Sequence, residues 1–290
     1  MVTFGPVNPL NMSATSATVD IGRCVSRERL SLELGAREFG NRETVATGFR
    51  PLDRLLPAGG VRRGSLVEWL AADCTAGLGG ASGAASIACA VACRLAASRV
   101  DSKAAGGCSS QTILVVDRRG WFHPPAVMGW LDGDAGAGQQ APQCIVARTS
   151  REDDEVWAID QALRCSGVVA VLACPGAIHP TAMRRWQLAA RSSGAVGLLL
   201  RPETARREPS WAEARIAVTP LPGETLAVRR LRLSLVGGPW LATEVEDQSV
   251  EIGIDLSRGR AVDVPSESKR SNDLPSPRCL RSEEVSCRAS

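Results

Sequence analysis

The sequence predicts an α/β fold, a mostly parallel central sheet with helices on both faces and a C-terminal antiparallel extension. Three observations predict it. Short apolar runs of the kind that buried parallel strands make recur at Ser65–Trp69, Thr112–Asp117, Cys144–Ala147, Val168–Ala173 and Ala195–Leu200. Helical patterns at Ala84–Ser98, Arg151–Arg164 and Pro180–Arg191 separate those runs, and strand-helix-strand repetition means parallel strands joined by crossovers. Beyond them, Leu226–Leu235 and Ser249–Leu256 alternate apolar and polar residues around Gly237-Gly238-Pro239, as antiparallel strands do. A chain of 290 residues can bury such a core without a disulfide or a structural metal.

Taken in order, residues 1–43 mix Ser, Thr, Asn and Pro with one short helical stretch, Arg27 to Phe39, and read as a loosely held arm. The body spans residues 44–264. Ala84–Ser98 is almost wholly small and apolar, so it should be packed on more than one side. Arg151–Arg164 begins with Ser150 and Asp153 at capping-box spacing, and its acidic first turn (Glu152, Asp153, Asp154, Glu155) suits the positive end of a helix dipole. Pro180–Arg191 starts with proline in its first turn and stops before Gly194. Residues 265–290 are rich in Ser and Pro with no apolar period, which predicts disorder. No internal repeat is present.

Composition removes whole classes of function. Apolar residues at 44% and charged residues at 22% are globular values. No apolar run approaches the ~18 residues of a membrane span, and no basic-then-apolar leader opens the chain, so neither export nor a membrane is expected. The ten cysteines are scattered without a CxxC pair, and His123 and His179 are the only histidines. That pattern disfavours zinc and predicts reduced, mostly buried thiols in a cytoplasm. All but two of the 34 basic residues are arginine, the exceptions being Lys103 and Lys269, and tyrosine is absent. A GC-rich coding bias accounts for that choice, and it leaves little room for lysine chemistry and none for tyrosine chemistry.

In an open parallel sheet, ligands bind beyond the carboxyl ends of the strands, which directs attention to the first strand-to-helix loop, residues 71–86. Its glycines and serines, Gly77, Ser82, Gly83 and Ser86 among them, would allow backbone N–H groups to wrap a phosphate at a helix N-terminus. Set against GxxxxGK[ST], however, Ser82-Gly83 is followed by Ala84 and Ala85 where the lysine and the hydroxyl belong, and Leu78 replaces the upstream glycine. Set against GxGxxG, Gly77 and Gly79 fit and Ser82 takes the third place. Asp117 then falls 40 residues after Gly77, where the ribose-binding acid belongs ~20 residues on. Arg118 and Arg119 stand beside it as candidates for a 2′-phosphate, which keeps an NADP-binding oxidoreductase in view. Close helix–sheet packing is the alternative reason for so many small residues.

Two further regions attract attention. Asp117-Arg118-Arg119-Gly120-Trp121-Phe122-His123 sets charge beside aromatics, either as a contact for a partner or nucleic acid or as a strand end whose Trp121 and Phe122 tuck under a helix. Between Pro180 and Arg232, ten arginines, including Arg184, Arg185, Arg201, Arg206 and Arg207, face four glutamates. Arginine clusters bind phosphate or an acidic partner bidentately, and a solvated helix face is the plain alternative. No Ser/His/Asp set and no close carboxylate pair is identifiable.

Thr47-Gly48-Phe49-Arg50-Pro51-Leu52-Asp53-Arg54-Leu55-Leu56-Pro57-Ala58-Gly59-Gly60, continuing through Gly64 to Glu68, resembles the approach to the first core strand of RecA-like ATPases. The order of later elements agrees through about Asp263. Within those proteins the chain is similar to the ImuA branch, associated with SOS mutagenesis. The likeness rests on Trp121-Phe122-His123-Pro124, on the stretch from Asp154 to Cys165, and on that from Arg201 to Ala212. Against the active members it departs three times. Ala84-Ala85 stand in place of the loop Lys-Thr, Arg119 in place of the catalytic glutamate, and Ala173-Cys174 in place of the Mg²⁺-associated aspartate.

The resemblance therefore implies a RecA-like scaffold without ATPase activity or catalytic residues. It would need no cofactor, although ATP binding without hydrolysis stays open. As an accessory in damage-induced translesion synthesis it would bind a Y-family-polymerase-like partner, together with RecA or DNA. An active ATP-dependent recombinase, an NADP-dependent oxidoreductase and a DNA-binding module acting alone are the competing readings.

Overall fold

The chain's described part opens with a two-stranded antiparallel ribbon, β1 (Thr44–Val45) against β2 (Val61–Arg62), which encloses the short helix α1 (Arg50–Leu55). Thr47 locks the connection by donating both its N–H and its hydroxyl to Asp53 Oδ1, at 2.8 and 2.7 Å. Gly60 is required on the return, because a Cβ there would lie 2.5 Å from the Val45 carbonyl oxygen. The Thr-Gly…Leu-Asp…Gly-Gly spacing thus has a local physical cause.

The computed structural model describes residues 42–71, 82–98, 112–132, 142–222, 227–238, 249–258 and 260–262. Within these, α/β alternation follows the predicted order. Strands β3 (Leu66–Ala71), β4 (Thr112–Val116), β5 (Gln143–Ala147), β6 (Val168–Ala173) and β7 (Val196–Pro202) occupy the five apolar runs. Helices α2 (Ala84–Ser98), α3 (Pro125–Asp132), α4 (Glu152–Arg164) and α5 (Pro180–Ser193) lie between them. A 3-10 turn, Glu203–Arg207, follows β7. The chain then forms β8 (Ala214–Leu221), β9 (Val228–Gly237), β10 (Ser249–Asp255) and β11 (Arg260–Val262).

Among the described residues, nine strands make one sheet in the order β11-β10-β9-β8-β3-β7-β6-β4-β5. The six from β8 to β5 are parallel, and β9, β10 and β11 add antiparallel at the other side. The predicted parallel core and antiparallel extension are both present. β8 is the addition. It pairs in parallel with β3, yet Arg215, Thr219 and Pro220 interrupt its apolar pattern enough to hide it in the sequence.

Pleat alternation divides the core in two. Val67, Trp69, Ile113, Val115, Leu172, Leu198 and Ile216 face α1, α2 and α3 on one side, where α2 is buried nearly all round, as its composition predicts. Leu66, Val116, Val171 and Leu199 face α4 and α5 on the other. The α4 start departs from expectation. Its N-cap is Arg151 with no side-chain cap, so the Ser150–Asp153 capping box does not form, and Glu155 N–H closes the first turn on the Arg151 carbonyl at 3.1 Å. The α5 caps match their signals, with His179 Nδ1 accepting from the Thr181 N–H at 3.4 Å and Gly194 ending the helix in the left-handed region.

Among the described residues no helix is long and apolar enough to cross a membrane, and the five cysteines Cys89, Cys93, Cys144, Cys165 and Cys174 are free thiols. The short helix expected at 27–39 and the tail 265–290 lie outside the described residues, as does the arm up to residue 41.

Candidate functional site

The carboxyl ends of β3, β4, β6 and β7 define the edge where ligand chemistry sits in an open parallel sheet. Gly77 and most of the predicted loop, residues 72–81, lie outside the described residues. Ser82 and Gly83 enter α2 as a tight turn. Ser82 is buried, and its hydroxyl accepts from the Ala84 N–H at 3.3 Å. Gly83 has φ +81°, and a Cβ there would come within 2.6 Å of Leu231 and 2.9 Å of Arg229, so glycine is needed both for conformation and for the close approach of β9. Ala84 is buried, and Ala85 and Ser86 are half-buried in the first turn. Of these three side chains only the Ser86 hydroxyl is polar.

Asp117 ends β4 and does not face outward. Its Oδ1 accepts the Trp121 N–H at 3.0 Å and its Oδ2 the Phe122 N–H at 2.9 Å, with Arg148 Nη1 3.6 Å from Oδ2. Beside the ribose role that its position suggests, Asp117 therefore has a structural one, since each of its oxygens accepts a backbone donor that shapes the 118–122 turn. Arg118 is likewise held, donating from Nε to Glu155 Oε2 at 2.7 Å. That bond to a buried carboxylate raises the guanidinium further above its ordinary value. Arg119 is exposed and lies 4.6 Å over the Trp121 ring. Of the two alternatives for Phe122, contact surface or tuck under a helix, the structure has the second, with the side chain in the core against α2 and α3.

The largest correction concerns Arg201. The sequence groups it with the outward-facing arginines, but only 1% of it is exposed. It donates from Nη1 to Glu68 Oε1 at 3.1 Å and from Nη2 to Glu208 Oε2 at 2.6 Å. Glu68, fully buried in the middle of β3, takes Arg215 Nε on its other oxygen at 2.6 Å. Arg215 also donates to the carbonyls of Ala205, Arg206 and Glu208. These four side chains balance in charge and tie the 203–208 turn down over β3, β7 and β8. A glutamate inside the apolar run Leu66-Val67-Glu68-Trp69-Leu70 was the one sequence signal for this network, since a mid-strand carboxylate must find cations in the fold.

The remaining predicted arginines do reach the outside. Arg206 and Arg207 are exposed on the 3-10 turn. Arg184 lies 4.2 Å over the Trp211 ring, and Arg185 donates to Asp160 Oδ1 at 3.0 Å. The structure brings together Asp117, Arg118, Arg119 and Trp121 at one corner, and Arg184 and Arg185 on α5. Trp211 was missed as a site residue, although its place among arginines was visible.

Chemically, the described part of the edge offers little to a reacting phosphate. Cys174, which follows β6, is buried, and burial pushes its thiol up to about 11, so it stays protonated at neutral pH. Among the described residues no group of three or more His, Cys, Asp or Glu is arranged to hold a metal ion. No protein-family model matches this chain, and no curated protein matches it.

Proposed function

We propose that the protein is a non-hydrolysing RecA-like scaffold, an accessory of the ImuA type in damage-induced translesion synthesis, which binds a Y-family-polymerase-like partner together with RecA or DNA. The observation that carries the first part is the internal commitment of charge at the carboxyl edge. Asp117 holds two backbone amides, Arg118 holds Glu155, Arg201 holds Glu68 and Glu208, and Ala84-Ala85 open α2. Phosphoryl transfer needs phosphate charge, water activation and a metal held together. These pairs take up Asp117, Glu155 and Glu68, no lysine stands among the described residues, and the carboxylates left exposed nearby are those of the first turn of α4, Glu152, Asp153 and Asp154. The mostly parallel sheet with its antiparallel extension is the architecture the resemblance implies. The accessory role rests on the sequence phrases and on the arginines that remain exposed.

Calorimetry with Mg-ATP and a hydrolysis assay on the same sample test the reading. The expected outcome is no turnover, with binding either absent or unaccompanied by hydrolysis. Measurable turnover by the wild type would end the scaffold reading, and Asp117→Ala and Ser82→Ala would then show whether those residues carry the chemistry. A pull-down with a Y-family polymerase, with and without single-stranded DNA, separates a partner-dependent scaffold from a DNA-binding module acting alone. The latter would bind DNA unaided, with affinity falling steeply as salt rises.

A further inference from the structure

Four large apolar side chains are exposed among the described residues, and three of them, Trp157, Leu188 and Trp211, belong to the layer that covers the α4–α5 face of the sheet. Exposure of Trp211 at 41% and Leu188 at 48% has no packing explanation, because neither side chain supports the core beneath it. Leu188 is one helical turn beyond Arg184, so the two side chains share a stripe of α5. Arg184 then stacks over Trp211, which precedes β8. The outward charge around this stripe is net positive, with Glu203, exposed on the same 3-10 turn as Arg206 and Arg207, as the opposing acid. Arg206 and Arg207 are exposed, and Arg185 is half-exposed beside Asp160, which is itself buried and already shared with Arg164. Glu208 on the same stretch of chain is spent on Arg201 at 2.6 Å.

We infer that Arg184, Leu188 and Trp211, flanked by Arg206 and Arg207, form a docking surface for an acidic segment of a protein partner that carries apolar side chains. This deepens the scaffold reading and rests on it. Charge complementarity selects an acidic occupant, since Arg184, Arg206 and Arg207 outnumber the exposed Glu203 while Arg185 is already paired with Asp160. Leu188 and Trp211 select an amphipathic one, because an apolar anchor pressed between them is shielded by the surrounding cations. A nucleic acid fits less well. One face of Trp211 is already covered by the Arg184 guanidinium, and Leu188 offers a phosphate backbone nothing.

The test uses the full chain and three fluorescent probes, a short peptide alternating glutamate and leucine, a glutamate-only peptide of equal charge, and a single-stranded oligonucleotide of equal charge. The mixed peptide is expected to bind most tightly. Trp211→Ala should weaken it by about tenfold, as should the double reversal Arg206→Glu with Arg207→Glu. Trp157→Ala, on the same face but off the stripe, should leave it within about twofold. Because these side chains are exposed, folding is checked by an unchanged melting curve, and the double reversal keeps the test alive if a tryptophan variant is unstable. Tighter binding of the oligonucleotide would overturn the inference in favour of nucleic acid. Equal binding of the glutamate-only peptide, or equal loss from Trp157→Ala, would overturn it as well. ATP turnover by the wild type would end the scaffold reading alone, whereas loss of the docking surface leaves the turnover result untouched.

Discussion

Two buried glutamates, one in β3 and one just before the neighbouring β8, have opposite fates. Glu68 on β3 is completely enclosed, yet each of its oxygens accepts from an arginine, at 3.1 Å from Arg201 and 2.6 Å from Arg215. Glu213, whose N–H bonds the Leu66 carbonyl at the start of the same strand, is 6% exposed and only partly matched. Its Oε1 lies 3.3 Å from Arg62, Arg42 acts on it from further off, and its Oε2 has no hydrogen-bond partner among the described residues. Burial pushes its carboxyl up to about 7 against the pull of both arginines. The difference shows that a cation hydrogen-bonded to each carboxylate oxygen, and not a cation merely nearby, makes a buried charge tolerable. It also separates the two ends of the sheet, with matched pairs towards the carboxyl edge and an incompletely matched acid under the β1–β2 ribbon.

The largest expected effect comes from breaking the matched side. Glu68→Ala leaves Arg201 and Arg215 buried without their shared carboxylate and should cost about 3–5 kcal/mol in urea unfolding. A loss below about 1 kcal/mol would mean that water or Glu208 takes over. Next comes the mismatched side. The folded-state value of Glu213, about 7, lies above the ordinary 4.5, so the folded protein holds that proton more tightly than the unfolded chain. Its contribution is therefore fully present below about pH 4.5 and is lost as pH rises through 7, by about 3 kcal/mol. Glu213→Gln should remove that part of the pH dependence and make the variant more stable than wild type at pH 8. Parallel stability–pH curves for the two proteins would refute the comparison.

Smaller effects sharpen the same contrast. Asp117→Ala removes a carboxylate that satisfies two backbone amides, and should cost about 2 kcal/mol. It should also loosen the 118–122 turn, seen as faster amide exchange at Trp121 and Phe122. Arg119→Ala removes only an exposed stacking contact on Trp121 and should cost about 0.5–1 kcal/mol. If the Arg119 change proved the larger, the turn would be held from outside rather than by Asp117.

Much of the framework was legible locally. Ala84–Ser98 and Val168–Ala173 have the bounds that their composition implies, because a run of small or branched apolar residues has few other ways to hide. β8 was not legible, since Arg215 inside it resembles surface chain until Glu68 is placed opposite. Arg201 was misplaced for the same reason. Its partner Glu68 is 133 residues away, and counting arginines along a segment carries no information about that distance. Asp117 was found as a strand-end acid, but its use depends on where two backbone amides turn.

The sequence by itself determined the alternation of strands and helices, the antiparallel finish, and the absence of lysine and hydroxyl side chains from the first two positions of α2. These follow from side-chain periodicity and from residue identity, which act within a few residues. Only the tertiary structure decided which arginines turn inward to Glu68 and which stay outside with Trp211. A buried charge is acceptable solely when distant chain segments deliver its partners, and that is a property of the assembled sheet.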